Sequence, residues 1–330
     1  MTSRFARFGN DLHTGERSID FVGMRRYWLI IASLMMIVAV IIPIVKGGFN
    51  FGIEFRGGSQ FQVSGVIDAE QSIATAAVES VVPDMVARVS IVGSEGVRVQ
   101  TDQLTDDETK NVATALAVGY GVDESEVTHS FIGPTWGADV SRQAIQGLAV
   151  FLTLALLLMA FYFRTWKMSL AAILSLVHDL IITAGVYALT GFEVTPAALI
   201  GFLTILAFSL YDTVVVFDKI KENTAEEATL NRRTFAETVN LGVNQTLVRS
   251  INTGVVAVLP VGTILFVGAF VLGADTLRDI SLALLIGIIL GTYSTIFVGA
   301  PLYAWFRQGE PEIRKHDAVT LATRTAVSQG

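Results

Sequence analysis

The chain has 330 residues, a mean hydropathy of +0.57, 52% hydrophobic residues and only 16% charged ones, against about a quarter charged in an ordinary soluble domain. It contains no cysteine, which excludes disulfides, thiolate metal sites and cysteine nucleophiles, and no two of its four histidines are spaced as a zinc motif. The net charge of −7 comes without a basic tract, so no electrostatic footprint for nucleic acid is present.

Residues 1–27 are polar and carry Arg4, Arg7, Arg17, Arg25 and Arg26. Residues 28–45 (WLIIASLMMIVAVIIPIV) form the first predicted span, with Tyr27 and Trp28 as an interfacial anchor and Pro43 near its far end. This run is too long for a signal-peptide core and has no small-residue cleavage site behind it, so a cleaved leader is not expected. A soluble-looking stretch fills residues 46–140. Five further apolar runs follow within residues 141–306: about Ile145–Phe163, Leu170–Leu189, Ala197–Phe217, Val255–Leu272 and Ile280–Phe306. The expected fold is therefore an α-helical polytopic membrane protein with a six-helix transmembrane bundle. Between the fourth and fifth spans, residues 218–250 make a loop of mixed charge, with a short amphipathic helix expected at Thr234–Leu241. Residues 307–330 are polar, lack periodicity and are expected to be disordered.

Basic residues orient the spans. With the N-terminus cytoplasmic, the inner segments hold the early arginines, Arg164, Lys167, Lys219, Lys221, Arg232, Arg233, Arg249, Arg307, Arg314, Lys315 and Arg324. The two short outer loops hold only Arg278. Both termini are thus expected inside, and residues 46–140 outside.

That outer stretch repeats one pattern. Ser59–Ile67 alternates like a strand, Asp68–Val82 has helical spacing with Asp68 as N-cap, and Val86–Val92 and Val97–Thr101 flank a Gly93-Ser94-Glu95-Gly96 turn. Thr105-Asp106-Asp107-Glu108 opens a second helix, Asp106–Gly119, as a capping box, and Val127–Ile132 closes as a strand. The order βαββαβ is that of a ferredoxin-like domain, inserted between spans 1 and 2. Its excess of acidic residues reads as a solvated surface.

Asp212 is the energetic oddity. It lies behind Gly201–Tyr211, a run without charge, with Val214–Phe217 and then Asp218 behind it. A carboxylate inside a span costs several kcal/mol unless it is paired, protonated or faces a cavity, and such groups usually mark proton or ion paths. A structural aspartate bonded to a neighbouring helix is the alternative. Ser209 is the polar residue one turn away. Ser175, Asp179 and Thr183 give the third span a polar face, and His178 beside them can carry a proton near neutral pH or simply pack. Arg249, at the inner mouth of the fifth span, either snorkels to headgroups or turns inward as counter-charge for Asp212. Asp212 lies about 10 Å of helix from Lys219, so direct contact requires a fifth helix that starts deep. Gly287, Gly291, Thr295 and Gly299 form a four-residue stripe for close packing of the sixth span on the fourth or fifth. No nucleophile with a base, phosphate loop or metal cluster is recognisable, so neither an enzyme nor a cofactor is expected.

Four ordered stretches carry a resemblance. FNFGIEFRGG (49–58), SLYDTVVVFDKIKEN (209–223), QTLVRSINT (245–253) and GTYSTIFVGAPL (291–302) resemble signatures of the SecD/SecF family of protein-export membrane proteins, related to the proton-driven RND exporters. The resemblance covers essentially the whole chain, and the layout fits the smaller member of the pair. It implies a multi-pass protein of the bacterial cytoplasmic membrane. Its partners would be SecD, the SecYEG channel with SecA, unfolded exported polypeptide and lipid, with proton flow as the drive. It also implies roles in proton passage for Asp212 and Arg249, and a family motif at Gly52, Glu54, Gly57 and Gly58. Two residues depart from the family pattern: Glu54 replaces a shorter Asp, and Tyr211 replaces an Asn before Asp212. The residues by themselves leave two other functions open, a proton-coupled exporter half for small molecules or lipids and a passive scaffold of the translocon.

Overall fold

The computed structural model of the chain describes residues 4–92, 96–271 and 275–329. In chain order, α1 (Arg4–Thr14) and α2 (Arg25–Lys46) lead to a one-turn helix α3 (Ile53–Arg56). Then come β1 (Gly58–Val63), α4 (Gln71–Val81), β2 (Arg88–Val92), β3 (Gly96–Thr101), α5 (Asp106–Tyr120) and β4 (Val127–Ile132). The long helices α6 (Pro134–Phe163), α7 (Trp166–Thr190), α8 (Pro196–Leu230) and α9 (Phe235–Leu265) follow. The sixth span is composite: α10 (Asp275–Ser294), a π-helical turn Thr295–Gly299, and α11 (Ala300–Arg307). The chain closes with α12 (Pro311–Gln329).

Among the described residues six helices are long and apolar enough to cross a membrane, which makes this a multi-pass membrane protein. Their most apolar windows are 56%, 44% and 50% buried in the third, fourth and sixth spans but 11% in the other three. The inner layer is therefore α7, α8 and the sixth span, with α2, α6 and α9 presenting apolar faces outward. Small residues set the spacing of that layer. A Cβ at Gly287 would lie 2.2 Å from Ile205 Cγ2, one at Gly291 3.0 Å from Ser209 Cβ, and one at Gly201 2.7 Å from Ala283 Cβ. The glycine stripe thus seats α10 on α8, and Gly254, whose Cβ would lie 2.7 Å from Thr292 Oγ1, seats α9 on the same helix.

The strands make one antiparallel sheet in the order β2-β3-β1-β4. Strand alternation puts Phe61 and Val63 on one face, opposite Val99 and Val97, where α4 and α5 cover them, and leaves Gln60, Gln62, Arg98 and Gln100 on the other. The capping box forms at α5: Thr105 N–H and Oγ1 donate to Glu108 Oε2 at 2.8 and 2.7 Å, and Glu108 N–H returns to Thr105 Oγ1 at 3.3 Å. These bonds, the backbone one foremost, hold Glu108 below the ordinary carboxylate range. Strand β4 has the predicted bounds. The turn expected at Gly93-Ser94-Glu95 lies outside the described residues.

Several boundaries differ from the sequence expectation. Helix α4 starts at Gln71 with Glu70 as its N-cap, not at Asp68. Helix α6 starts at Pro134, a residue whose ring pre-sets the first helical turn, so the helix runs well past the apolar stretch that marks the span. The amphipathic segment at Thr234–Leu241 is the first part of the 31-residue α9, capped by Thr234 and Glu237 as a capping box. The tail, expected to be disordered, is helical. Its order comes from tertiary anchors that periodicity does not reveal: Ile313 enters the core, Thr320 is fully buried, and Asp317 Oδ1 accepts from Phe235 N–H at 2.7 Å. Arg324 pairs with Glu237 at 2.6 Å. The N-terminal segment is fastened in the same way, with Leu12 fully buried and the Ile19 and Phe21 N–H groups donating to Asn244 and Asn240 at 2.8 Å each.

At the base of the sheet the motif FNFGIEFRGG makes a tight corner. Gly58 has φ +131, and a Cβ there would lie 2.3 Å from the Thr101 carbonyl oxygen, a backbone atom. Left-handed strain and a backbone clash add, so Gly58→Ala is expected to destabilise the sheet by about 1–3 kcal/mol. Hydrogen exchange at the β1 and β3 amides checks this, with Gly147→Ala, which meets nothing within 4 Å, as the control that leaves exchange unchanged.

Candidate functional site

Asp212 lies sixteen residues into α8, roughly 24 Å along the helix from Pro196. Ser209, Asp212, Thr213 and Val216 share one face of that helix, and all are buried, Asp212 to 4% exposure. The face meets the inner layer. Ser250 Oγ of α9 donates to Asp212 Oδ1 at 2.8 Å. Thr213 Oγ1 and Thr295 Oγ1 are 3.0 Å apart, which ties α8 to the π-helical turn of the sixth span. A π-turn frequently marks a functional site, because it re-aims side chains and interrupts the helical ladder.

A second carboxylate sits in the same layer. Asp179 of α7 accepts from Ser209 Oγ at 2.7 Å and Ser294 Oγ at 2.8 Å through Oδ2, and His178 Nδ1 lies 3.2 Å from its Oδ1. Ser209 therefore serves Asp179 rather than Asp212, although it is on the helix of the latter. The stripe residues stand beside these groups: Gly291 against Ser209, Thr295 against Thr213, and Gly299 with room for a Cβ at 3.6 Å from Ser175 Oγ. Among the described residues, Asp212 Oδ2, Ser175 Oγ, His178 Nε2 and Tyr293 Oη are buried without a hydrogen-bond partner. Buried polar atoms are almost always satisfied, so each of these exceptions calls for an explanation.

Arg249 is exposed, next to the buried Ser250, so the two side chains leave α9 in different directions. It makes no ion pair with Asp212. It lines a polar cavity of about 530 Å³ with His13, Asp218, Lys219, Glu222 and Gln245. Direct contact between Asp212 and Arg249 is thus not made in this conformation; Ser250, the residue after Arg249, is the α9 side chain that meets the acid. Tyr211 is 56% exposed and points away from the cluster, so the aromatic that departs from the family pattern does not crowd Asp212.

The family motif lies at the other end of the bundle. Gly52 N–H donates to the Val194 carbonyl at 3.0 Å, and Val194 N–H donates to the Asn50 carbonyl at 2.7 Å. A Cβ at Gly52 would lie 2.3 Å from Glu54 Oε2, the flexible end of a side chain whose oxygen is itself buried without a partner. Gly57 caps α3 at φ 76, and Gly58 begins β1.

Two family models cover these regions: Protein export membrane protein SecD/SecF, C-terminal, matches residues 111–309, and SecD/SecF GG Motif matches residues 44–64. The protein translocase subunit SecF of Streptomyces coelicolor is 41% identical over 98% of this chain and 86% of its own length. The chain belongs to the SecD/SecF family of protein-export membrane proteins. By family it is a translocase subunit of the SecF kind and not an enzyme. The fused SecDF of Thermus thermophilus is 32% identical over 87% of this chain and 38% of its own length. A crystal structure of SecDF from that source, described as a translocon-associated membrane protein, aligns with a TM-score of 0.76 at 31% identity. It covers 88% of this chain, which spans 39% of that one.

Sequence reasoning missed Ser250, Ser294 and Thr213 as carboxylate and hydroxyl partners. The missing signal is a modest one: each is a small hydroxyl residue beside a residue already singled out, and only helix packing decides which acid it meets.

Proposed function

We propose that this SecF-type subunit works with SecD beside the SecYEG channel and its SecA motor, and that it uses proton flow to finish the export of unfolded polypeptide. The SecD partnership draws on relatives in which the two parts share one chain. Both termini lie in the cytoplasm of a bacterial cell, the spans cross its cytoplasmic membrane, and the sheet with α4 and α5 is a ferredoxin-like domain on the outer side. The strand order and the βαββαβ succession support that fold, and the distribution of Lys and Arg supports the orientation.

The observation that carries the mechanism is Asp212: a buried carboxylate with one oxygen held by Ser250 and the other without a protein partner, where the fourth, fifth and sixth spans meet. A proton taken up there removes the charge and with it the reason for the present packing, and its release restores both. The polar cavity at Arg249 is the route from the cytoplasmic side. Asp179 with His178, Ser209 and Ser294 forms a second polar station nearer the outer end. One charge moving through 100 mV is worth about 2.3 kcal/mol, enough to bias a two-state bundle.

The test is export of a secreted reporter in cells depleted of their own SecF and supplied with this chain, before and after the proton gradient is collapsed. Restored export that falls on collapse supports the reading. A drug- or lipid-efflux phenotype with normal secretion points instead to a small-molecule exporter.

A further inference from the structure

The loop between α7 and α8, residues 191–195, contacts the Asn50–Gly52 segment, the sheet and α10. Val194 exchanges two backbone hydrogen bonds with Asn50 and Gly52. Thr195 caps α8, accepting from Ala198 N–H at 3.1 Å, and donates to Asp279 Oδ2 of α10 at 2.9 Å. Glu193 reaches up to the helix-free face of the sheet. Its Oε2 lies 3.1 Å from Arg98 Nη1 and 3.3 Å from Gln100 Nε2, and Gln100 is in turn bonded to Gln60 at 3.0 Å. The Arg98 side chain is only 7% exposed and that of Glu193 17%. Three residues after Glu193, the chain enters α8, the helix that carries Asp212.

From this geometry we propose that Glu193 is the positioning residue that transmits movement of the fourth span to the outer sheet, through Arg98 and Gln100. The inference rests on the proton-driven reading above and adds to it the physical link between membrane and domain. An ion pair suits that task. Separating it takes the Glu193 carboxylate away from a buried guanidinium, which is unfavourable, so the pair resists parting of loop and sheet. The backbone bonds of Val194 act on the motif beneath the sheet, and Glu193 is the side chain of this loop that grips the sheet itself.

The chain has no native cysteine, so paired spin labels can be placed at Glu79→Cys on the exposed side of α4 and Ile200→Cys near the outer end of α8. With the full-length protein in membranes, Glu193→Gln is expected to widen the distance distribution between these labels. It is also expected to lower gradient-stimulated export about fivefold or more, with gradient-independent export retained. Glu193→Arg is expected to be worse, and Glu193→Arg with Arg98→Glu to recover part of the loss. Unchanged label distances in Glu193→Gln, or export at the wild-type level, overturns the coupling role. The label distances are read without any gradient, so they judge the coupling even if Asp212→Asn shows that proton flow is not the drive.

Discussion

Asp212→Asn is expected to remove the response of export to the proton gradient while the protein still folds and inserts. The amide has the shape of the carboxylate and keeps an oxygen to accept from Ser250 Oγ, now 2.8 Å from Oδ1, so packing of α8 against α9 has no reason to change. What is lost is the ability to take up and release a proton at a buried carboxylate oxygen, Asp212 Oδ2, that has no hydrogen-bond partner in the protein. A drive of about 2.3 kcal/mol per charge at 100 mV corresponds to a factor of roughly 50 at 1.4 kcal/mol per decade. The gradient-stimulated part of export should therefore fall to background. The measurement is the rate of reporter secretion with and without a protonophore, alongside the amount of the variant in the membrane. A variant that secretes and responds like wild type would make the chain a passive scaffold of the translocon, and the same result would end the proton-driven account. Arg249→Met, on the wall of the polar cavity rather than on Asp212, is expected to slow the response rather than remove it.

The second large effect is steric. Gly287→Leu is expected to separate α10 from α8. A Cβ at Gly287 would come within 2.2 Å of Ile205 Cγ2 and 2.3 Å of both Cγ1 and Cδ1. A branched side chain fixed in a helix cannot turn away from all three contacts, so the helices themselves must part. Overpacking of this kind costs about 1–3 kcal/mol. Separation also opens the layer that holds Ser209 and Ser294 on Asp179 and Thr213 on Thr295. Thermal unfolding in detergent should drop on the order of 5 °C, and gradient-stimulated export should drop with it. Gly262→Leu is the matched control, because a Cβ at Gly262 meets nothing within 4 Å. Equal melting temperatures for the two variants would show that the stripe is not a packing surface.

The two effects have different origins, and so does what the sequence reveals of each. A charged side chain in an apolar run is visible as an energetic exception wherever it lands, so Asp212 could be singled out before any helix was placed. Its partners could not. Ser209 is one turn from Asp212 and reads as its companion, yet its hydroxyl crosses to Asp179 because α7 lies on that side of α8. Ser250 is adjacent to Arg249 and is overshadowed by it. Only the rotation of α9 shows that the serine faces the acid and the arginine faces the cavity. Glu193 and Arg98 are 95 residues apart, and nothing local relates a loop acid to a strand arginine.

The amino-acid sequence alone determined the number of spans, the strand and helix succession of residues 58–132, the capping box at Thr105, the small-residue stripe and the anomalous carboxylate. Each is a matter of periodicity, composition or local hydrogen bonding, which act over a few neighbouring residues. Tertiary structure alone decided the order of the tail, the depth of the N-terminal helix, the hydroxyl partners of Asp212 and Asp179 and the grip of Glu193 on the sheet. Those depend on which helix faces which, and that is set by close packing across the whole bundle, where one glycine fixes the approach of two helices and so the reach of every side chain between them.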